Sequence, residues 1–183
     1  MNSFGIIDKN TTAFIQIDIQ EKFKPAIHKF DEVISNAKIL VESSQALKVP
    51  LVVTEQYPKG LGKTAEEITI PENTPIIEKL HFSCFGNQEF NKKIKELKLK
   101  SIIIFGVEAH VCLLKTALDA LKQNLEVYLV ADAVSSRTPG NKALAIERMR
   151  QSGAFIVSTE MILFQMLEYS GTDDFKVVSK LIK

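Results

Sequence analysis

The sequence predicts a three-layer α/β fold, a six-stranded, mostly parallel sheet with helices on both faces. Three observations carry that prediction. Continuous β-branched runs, too apolar for strands with one wet face, recur along the chain. Segments with apolar residues at 3/4 spacing separate them, as the crossover helices of a parallel sheet require. The chain has 183 residues, 45% of them hydrophobic, enough for one core.

The first strand, 12–18, reads Thr12-Ala13-Phe14-Ile15-Gln16-Ile17-Asp18 and ends on an acid. Val33, Ala37, Leu40, Val41, Ser44 and Leu47 then mark one face of a helix, and a second strand follows at 50–54. The region 55–74, with Pro58, Gly60, Gly62 and Pro71, is the one long irregular connection and reads as a lid or pocket rim. A third strand, 75–78, precedes Lys79. Lys92-Lys93 to Lys100 alternates with Glu96 as a solvated helix face does. The fourth strand, 101–106, breaks at Gly106 and leads through Val107-Glu108-Ala109-His110-Val111 to Cys112 in the first turn of a helix. Val111, Leu114, Leu118 and Leu121 mark the apolar face of that helix.

A fifth strand is expected at 126–131, and a helix opens after Thr138-Pro139-Gly140-Asn141, with Ala143, Ile146 and Met149 inward and Gly153 as its stop. A sixth strand, 154–158, and helices at 160–168 and 173–182 complete the chain. There is no internal repeat and no low-complexity tract, so residues 1–183 read as a single domain.

A formal net charge of +1 with both signs interspersed offers no basic face to a phosphate backbone, which disfavours nucleic acid as a partner. No apolar run approaches the roughly 18 to 20 residues needed to cross a bilayer, so no membrane role is expected. Two distant cysteines, Cys84 and Cys112, and no basic-then-apolar leader point to the reducing cytoplasm.

The chemistry gathers at strand exits. A thiol at a helix start meets unpaired N–H groups that favour a thiolate and can hold an oxyanion, so Cys112 is expected to be acidic. Asp18 and Lys79 leave two other strands. If the first and fourth strands are central neighbours, Asp18 and Cys112 emerge side by side where strand order reverses, and Lys79 reaches in from farther out. Taken singly, each has a plainer reading: a small buried hydrophobe, a strand-end cap, a solvated lysine.

Four ordered motifs together resemble the isochorismatase-like cysteine hydrolases, the group of nicotinamidases and N-carbamoylsarcosine amidase. They are Asp18-x-Gln20, Lys79-x-x-Phe82-Ser83, Gly106-Val107-Glu108-Ala109-His110-Val111-Cys112 and Asp132-Ala133-Val134-Ser135-Ser136-Arg137. Thr54-Glu55-Gln56-Tyr57-Pro58-Lys59-Gly60-Leu61-Gly62 is similar to the isochorismatase domain-containing branch. The resemblance implies a Rossmann-like fold, a triad of Asp18, Lys79 and Cys112, a non-proline cis peptide at Val107–Glu108, and an oxyanion hole from the N–H groups of Glu108 and Cys112.

The Asp-x-His pair of the nicotinamidases is replaced here by Thr54-Glu55-Gln56-Tyr57, so no metal site and no cofactor are expected. Gln20, Phe23, Gln56, Tyr57, Phe82 and His110 are the candidate pocket residues around a small-molecule substrate. His110 is two residues from Cys112 on a helix and so faces another way, which makes it a pocket or subunit-boundary residue, not a dyad partner. The reading is a metal-independent cysteine hydrolase of a small amide, carbamoyl or related C–N substrate, acting through a thioester as a homo-oligomer, dimer or tetramer. Two alternatives stay open: ether hydrolysis of the isochorismatase type, and a vestigial site in an interaction protein.

Overall fold

The computed structural model describes residues 4–183, so Met1 to Ser3 of the expected domain lie outside the described residues. Its six strands are β1 (Thr12–Ile17), β2 (Leu51–Gln56), β3 (Ile76–Lys79), β4 (Ser101–Gly106), β5 (Glu126–Val134) and β6 (Phe155–Val157). They form one all-parallel sheet in the order β3-β2-β1-β4-β5-β6. β1 and β4 are buried along their whole length, which explains why both read as unbroken apolar runs. The chain winds outward from this pair in both directions, so their carboxyl ends flank the crevice where strand order reverses.

Among the described residues there are seven α-helices: α1 (Phe30–Ala46), α2 (Pro58–Leu61), α3 (Gln88–Glu96), α4 (Leu114–Lys122), α5 (Pro139–Gln151), α6 (Thr159–Met166) and α7 (Asp173–Leu181). α1 packs with α6 and α7, and α4 packs with α5, giving the two outer layers. α1 buries the predicted face, Val33, Ala37, Leu40, Val41, Ser44 and Leu47. α5 starts as its sequence suggests, with Pro139 in the first turn and Thr138 Oγ1 accepting from Asn141 N at 3.2 Å.

Several expectations shift. α3 showed only its charged face in the sequence because just Phe90 and Ile94 go inward, too few to reveal a period. In α4 the buried residues are Thr116, Ala117 and Ala120, while Val111, Leu114, Leu118 and Leu121 stay half-buried. Val111, Leu114 and Leu121 still pack against the core from its edge, and a π-helical turn at Ala109–Leu113 precedes α4. In α5, Ala145 replaces Ala143 beside Met149, and Ala143 is exposed.

The connection 55–74 is tied to the body of the fold at several points. β2 runs on to Gln56, Ala65 and Ile68 are buried in the core, and Thr64 pairs with Gln20 in an isolated bridge. Glu55 Oε1 accepts from both the N–H and the hydroxyl of Thr64, at 2.7 and 2.9 Å.

Candidate active site

Asp18 stands one residue past β1 with φ 55°, a left-handed conformation that Asp adopts more readily than most residues. Its N–H donates to Thr54 O at 3.1 Å, which ties the turn to the end of β2. The carboxylate is enclosed: Oδ1 accepts from Thr54 Oγ1 at 2.7 Å and Oδ2 from Lys79 Nζ at 2.6 Å. Lys79 is the last residue of β3, two strands away, and its stem crosses β2 to reach Asp18. The ammonium also donates to Gln56 Oε1 at 2.8 Å, His81 O at 3.3 Å and Phe82 O at 3.4 Å. Burial alone would lower the lysine pKa. The Asp18 carboxylate, by its charge and its hydrogen bond, outweighs burial and the net shift is upward, so Lys79 is a cation.

Cys112 is delivered by three features in sequence. Gly106 has φ +125°, and a Cβ there would lie 2.0 Å from Ile17 O, so only glycine lets β4 close on β1 at this point. The Val107–Glu108 peptide is cis, as the motif implied. The π turn at Ala109–Leu113 then carries Cys112 into the crevice, anchored by Ala109 N donating to Ser135 O at 2.7 Å. Among the described residues the Glu108 N–H has no protein acceptor. The Glu108 side chain is buried and gripped by Arg137, whose Nε and Nη2 donate to its two oxygens at 2.6 and 3.3 Å.

The thiol corrects an expectation. Burial first, and the Asp18 carboxylate second, push the Cys112 pKa up, and Lys79 only partly opposes them. The resting group is therefore a thiol beside a base, because the desolvation a sequence cannot register outweighs the helix start.

Of the residues singled out from sequence, Asp18, Lys79, Gln56 and Cys112 converge. Tyr57 and Phe82 are exposed on the rim, and Phe23 is half-buried against the core. Gln20 is wholly buried with its amide already committed: Nε2 donates to Gln56 O and Gly62 O, and Oε1 accepts from Gln56 N. His110 Nδ1 pairs with Ser136 Oγ at 3.0 Å. Thr54 and Arg137 were quoted in motifs but given no task. Thr54 had one signal, a hydroxyl closing an otherwise apolar strand. Cys84 is fully buried, 4.0 Å from Thr54 Oγ1 through its sulfur, and burial pushes its thiol up to about 11. Among the described residues no three His, Cys, Asp or Glu side chains are grouped to hold a metal ion.

Residues 12–161 match the isochorismatase domain model, and this span contains every strand and all of the convergent side chains. The chain belongs to the isochorismatase family of hydrolases. It is 42% identical to isochorismatase family protein 1A of Dictyostelium discoideum over 99% of this chain and 90% of that one. It is 38% identical to a secreted isochorismatase effector of Phytophthora sojae over 98% of this chain and 88% of that protein, so relatives occur outside cells. The structure of the MAR1 ribonuclease from Caenorhabditis elegans superposes with a TM-score of 0.91 at 38% identity, covering 96% of this chain and 91% of that one. No helix among the described residues is long and apolar enough to cross a membrane.

Proposed function

We propose that this isochorismatase-family chain is a metal-independent cysteine hydrolase that opens a small amide, carbamoyl or related C–N bond through a thioester on Cys112. The observation that supports it most is the Asp18–Lys79 ion pair, closed to solvent and set against the Cys112 thiol. A buried ion pair is a poor device for stability, since desolvation offsets its attraction, and its place beside a thiol at a strand-order reversal favours chemistry.

In this reading Asp18 takes the thiol proton as Sγ attacks the carbonyl carbon and the C–S bond forms. The N–H groups of Glu108 and Cys112 hold the oxyanion. Asp18 then gives its proton to the leaving nitrogen, the C–N bond breaks, and ammonia or an amine departs. Water, deprotonated by Asp18, attacks the thioester; the C–S bond breaks and the proton returns to sulfur. Amide and water have become acid and amine. Because the resting thiol is neutral, its ionisation is coupled to the attack. Lys79 stabilises the negative charge that passes between sulfur and carboxylate.

Tyr57, Phe82, Phe23 and His110 form the approach to the site, whereas Gln20 supports the rim from beneath. Cytoplasmic residence and assembly into a homo-oligomer belong to the same reading, with exposed Leu80, Phe82 and Leu144 as apolar area for contact between copies.

The relative described as a ribonuclease supplies a second substrate class, which the net charge of +1 disfavours. Ammonia release from a panel of small amides and ureas, with a labelled RNA in parallel and Cys112→Ala as control, separates the readings. The expected result is ammonia from the parent protein, none from the alanine variant, and intact RNA. Ammonia release retained without the cysteine would overturn the thioester mechanism, and RNA cleavage without ammonia would favour a nuclease.

A further inference from the structure

We propose that Gln56 is a positioning residue for Lys79: its Oε1 holds the ammonium between Asp18 and Cys112 while adding no second negative charge. The proposal rests on the triad reading above. Gln56 ends β2 directly opposite Lys79 in the parallel register. Its backbone is clamped on both sides by one side chain, with Gln56 N donating to Gln20 Oε1 at 2.7 Å and Gln56 O accepting from Gln20 Nε2 at 3.0 Å. Its own amide is oriented by Nε2 donating to Leu80 O at 2.8 Å, which leaves Oε1 facing Lys79 Nζ at 2.8 Å. A flipped amide would set NH₂ against the ammonium and two carbonyl oxygens against each other, so the network admits one orientation.

The neutrality of this acceptor has a consequence for charge. The titratable groups acting on Lys79 are Asp18, Cys84 and Cys112. The nearby acids are engaged elsewhere: Glu55 with Thr64 and Lys63, and Glu78 with Lys63. Lys79 therefore answers to one carboxylate, and the rest of its positive field falls on the thiol. A carboxylate at position 56 would share the ammonium between two anions and weaken that field. The other oxygens around Nζ, those of His81 and Phe82, are backbone carbonyls at longer range and do not discriminate charge.

The test needs no substrate. The rate of Cys112 alkylation by iodoacetamide, followed by mass spectrometry of the labelled peptide across roughly pH 7 to 10, reports thiolate formation at the site. Gln56→Glu, which keeps size and shape, should slow labelling about tenfold at each pH, as a new like charge within hydrogen-bonding range of the cluster requires. Gln56→Met, which lacks the acceptor, should slow it several-fold in the parent background and not at all in Lys79→Ala, because its action runs through the lysine. Thermal melting of each variant checks the fold, and the Gln56→Met cycle decides the matter if Gln56→Glu is unstable. A Lys79-dependent profile that is the same with Gln and Glu at position 56 would sink this proposal alone. So would effects of Gln56→Met and Lys79→Ala that multiply. Cys112 labelling at the same rate in Lys79→Ala as in the parent protein would overturn the triad and this inference together.

Discussion

Lys79 Nζ stands 2.6 Å from Asp18 Oδ2 in a pair whose side chains are both 0% exposed. Their strands are two places apart in the sheet, so this contact exists only because a lysine stem spans β2 and Thr54 turns the carboxylate to meet it. Such a pair is costly to break singly, since the surviving ion stays buried and uncompensated, at about 3 to 5 kcal/mol.

Asp18→Asn should therefore lose both catalysis and stability. Hydrolysis should fall roughly 10²- to 10⁴-fold, the range for removing a general base, and the melting temperature should drop as Lys79 loses its anion. Asn tolerates the left-handed backbone at this position, so main-chain strain does not confuse the result. The double variant Asp18→Asn/Lys79→Met should recover much of the stability and none of the activity. Stability left unrecovered in a denaturant titration would mean that the pair contributes more than charge.

Cys112→Ala should separate activity from stability. The thiol is largely buried but small, so its removal should cost about 1 to 2 kcal/mol while abolishing turnover. Unfolding curves and ammonia release measured on one preparation check both halves.

Gly106→Ala should damage the site from outside it. The new methyl would meet Ile17 O at 2.0 Å and sit on a φ of +125°, forcing β4 away from β1 just before the cis bond and the π turn. A loss of several kcal/mol in stability is expected. Normal melting with normal Cys112 labelling would show that the strands part without cost.

Stability should also fall in alkali. The fully buried Cys84 thiol is pushed up to about 11, first by burial. Below about pH 9 both folded and unfolded chains keep this proton and the contribution is whole. Between about 9 and 11 the unfolded chain releases it and the folded one does not, so the unfolded state gains and stability declines. Cys112 and Tyr128, also raised by burial, act in the same direction. Tm should be flat from about pH 7 to 8.5 and fall above that, and Cys84→Ala should show the smaller fall. Equal falls in parent and variant would remove Cys84 from the account.

The layer architecture and the placement of β1 beside β4 were legible because fully buried parallel strands must be continuously apolar, and right-handed crossovers leave few ways to order them. The three strand-exit residues were legible for the same reason: polar groups that end apolar runs have the crevice as their natural place. The apolar face of α4 reaches the core at Val111, Leu114 and Leu121, but the residues it buries most deeply, Thr116, Ala117 and Ala120, are small and carry little apolar signal. α3 was legible only by its charged face, because only Phe90 and Ile94 turn inward.

What the sequence determined by itself is thus local and periodic: six strands, their alternation with helices, and an acid, a lysine and a cysteine at three exits. What only the tertiary structure decided is how these groups meet and what state they take. Desolvation, which depends on everything packed around a group and on nothing in its immediate neighbours along the chain, makes Cys112 a neutral thiol where its helix start alone suggested a thiolate. The same packing commits Gln20 to the rim and turns Gln56 toward Lys79, contacts between strands that no spacing along the chain encodes.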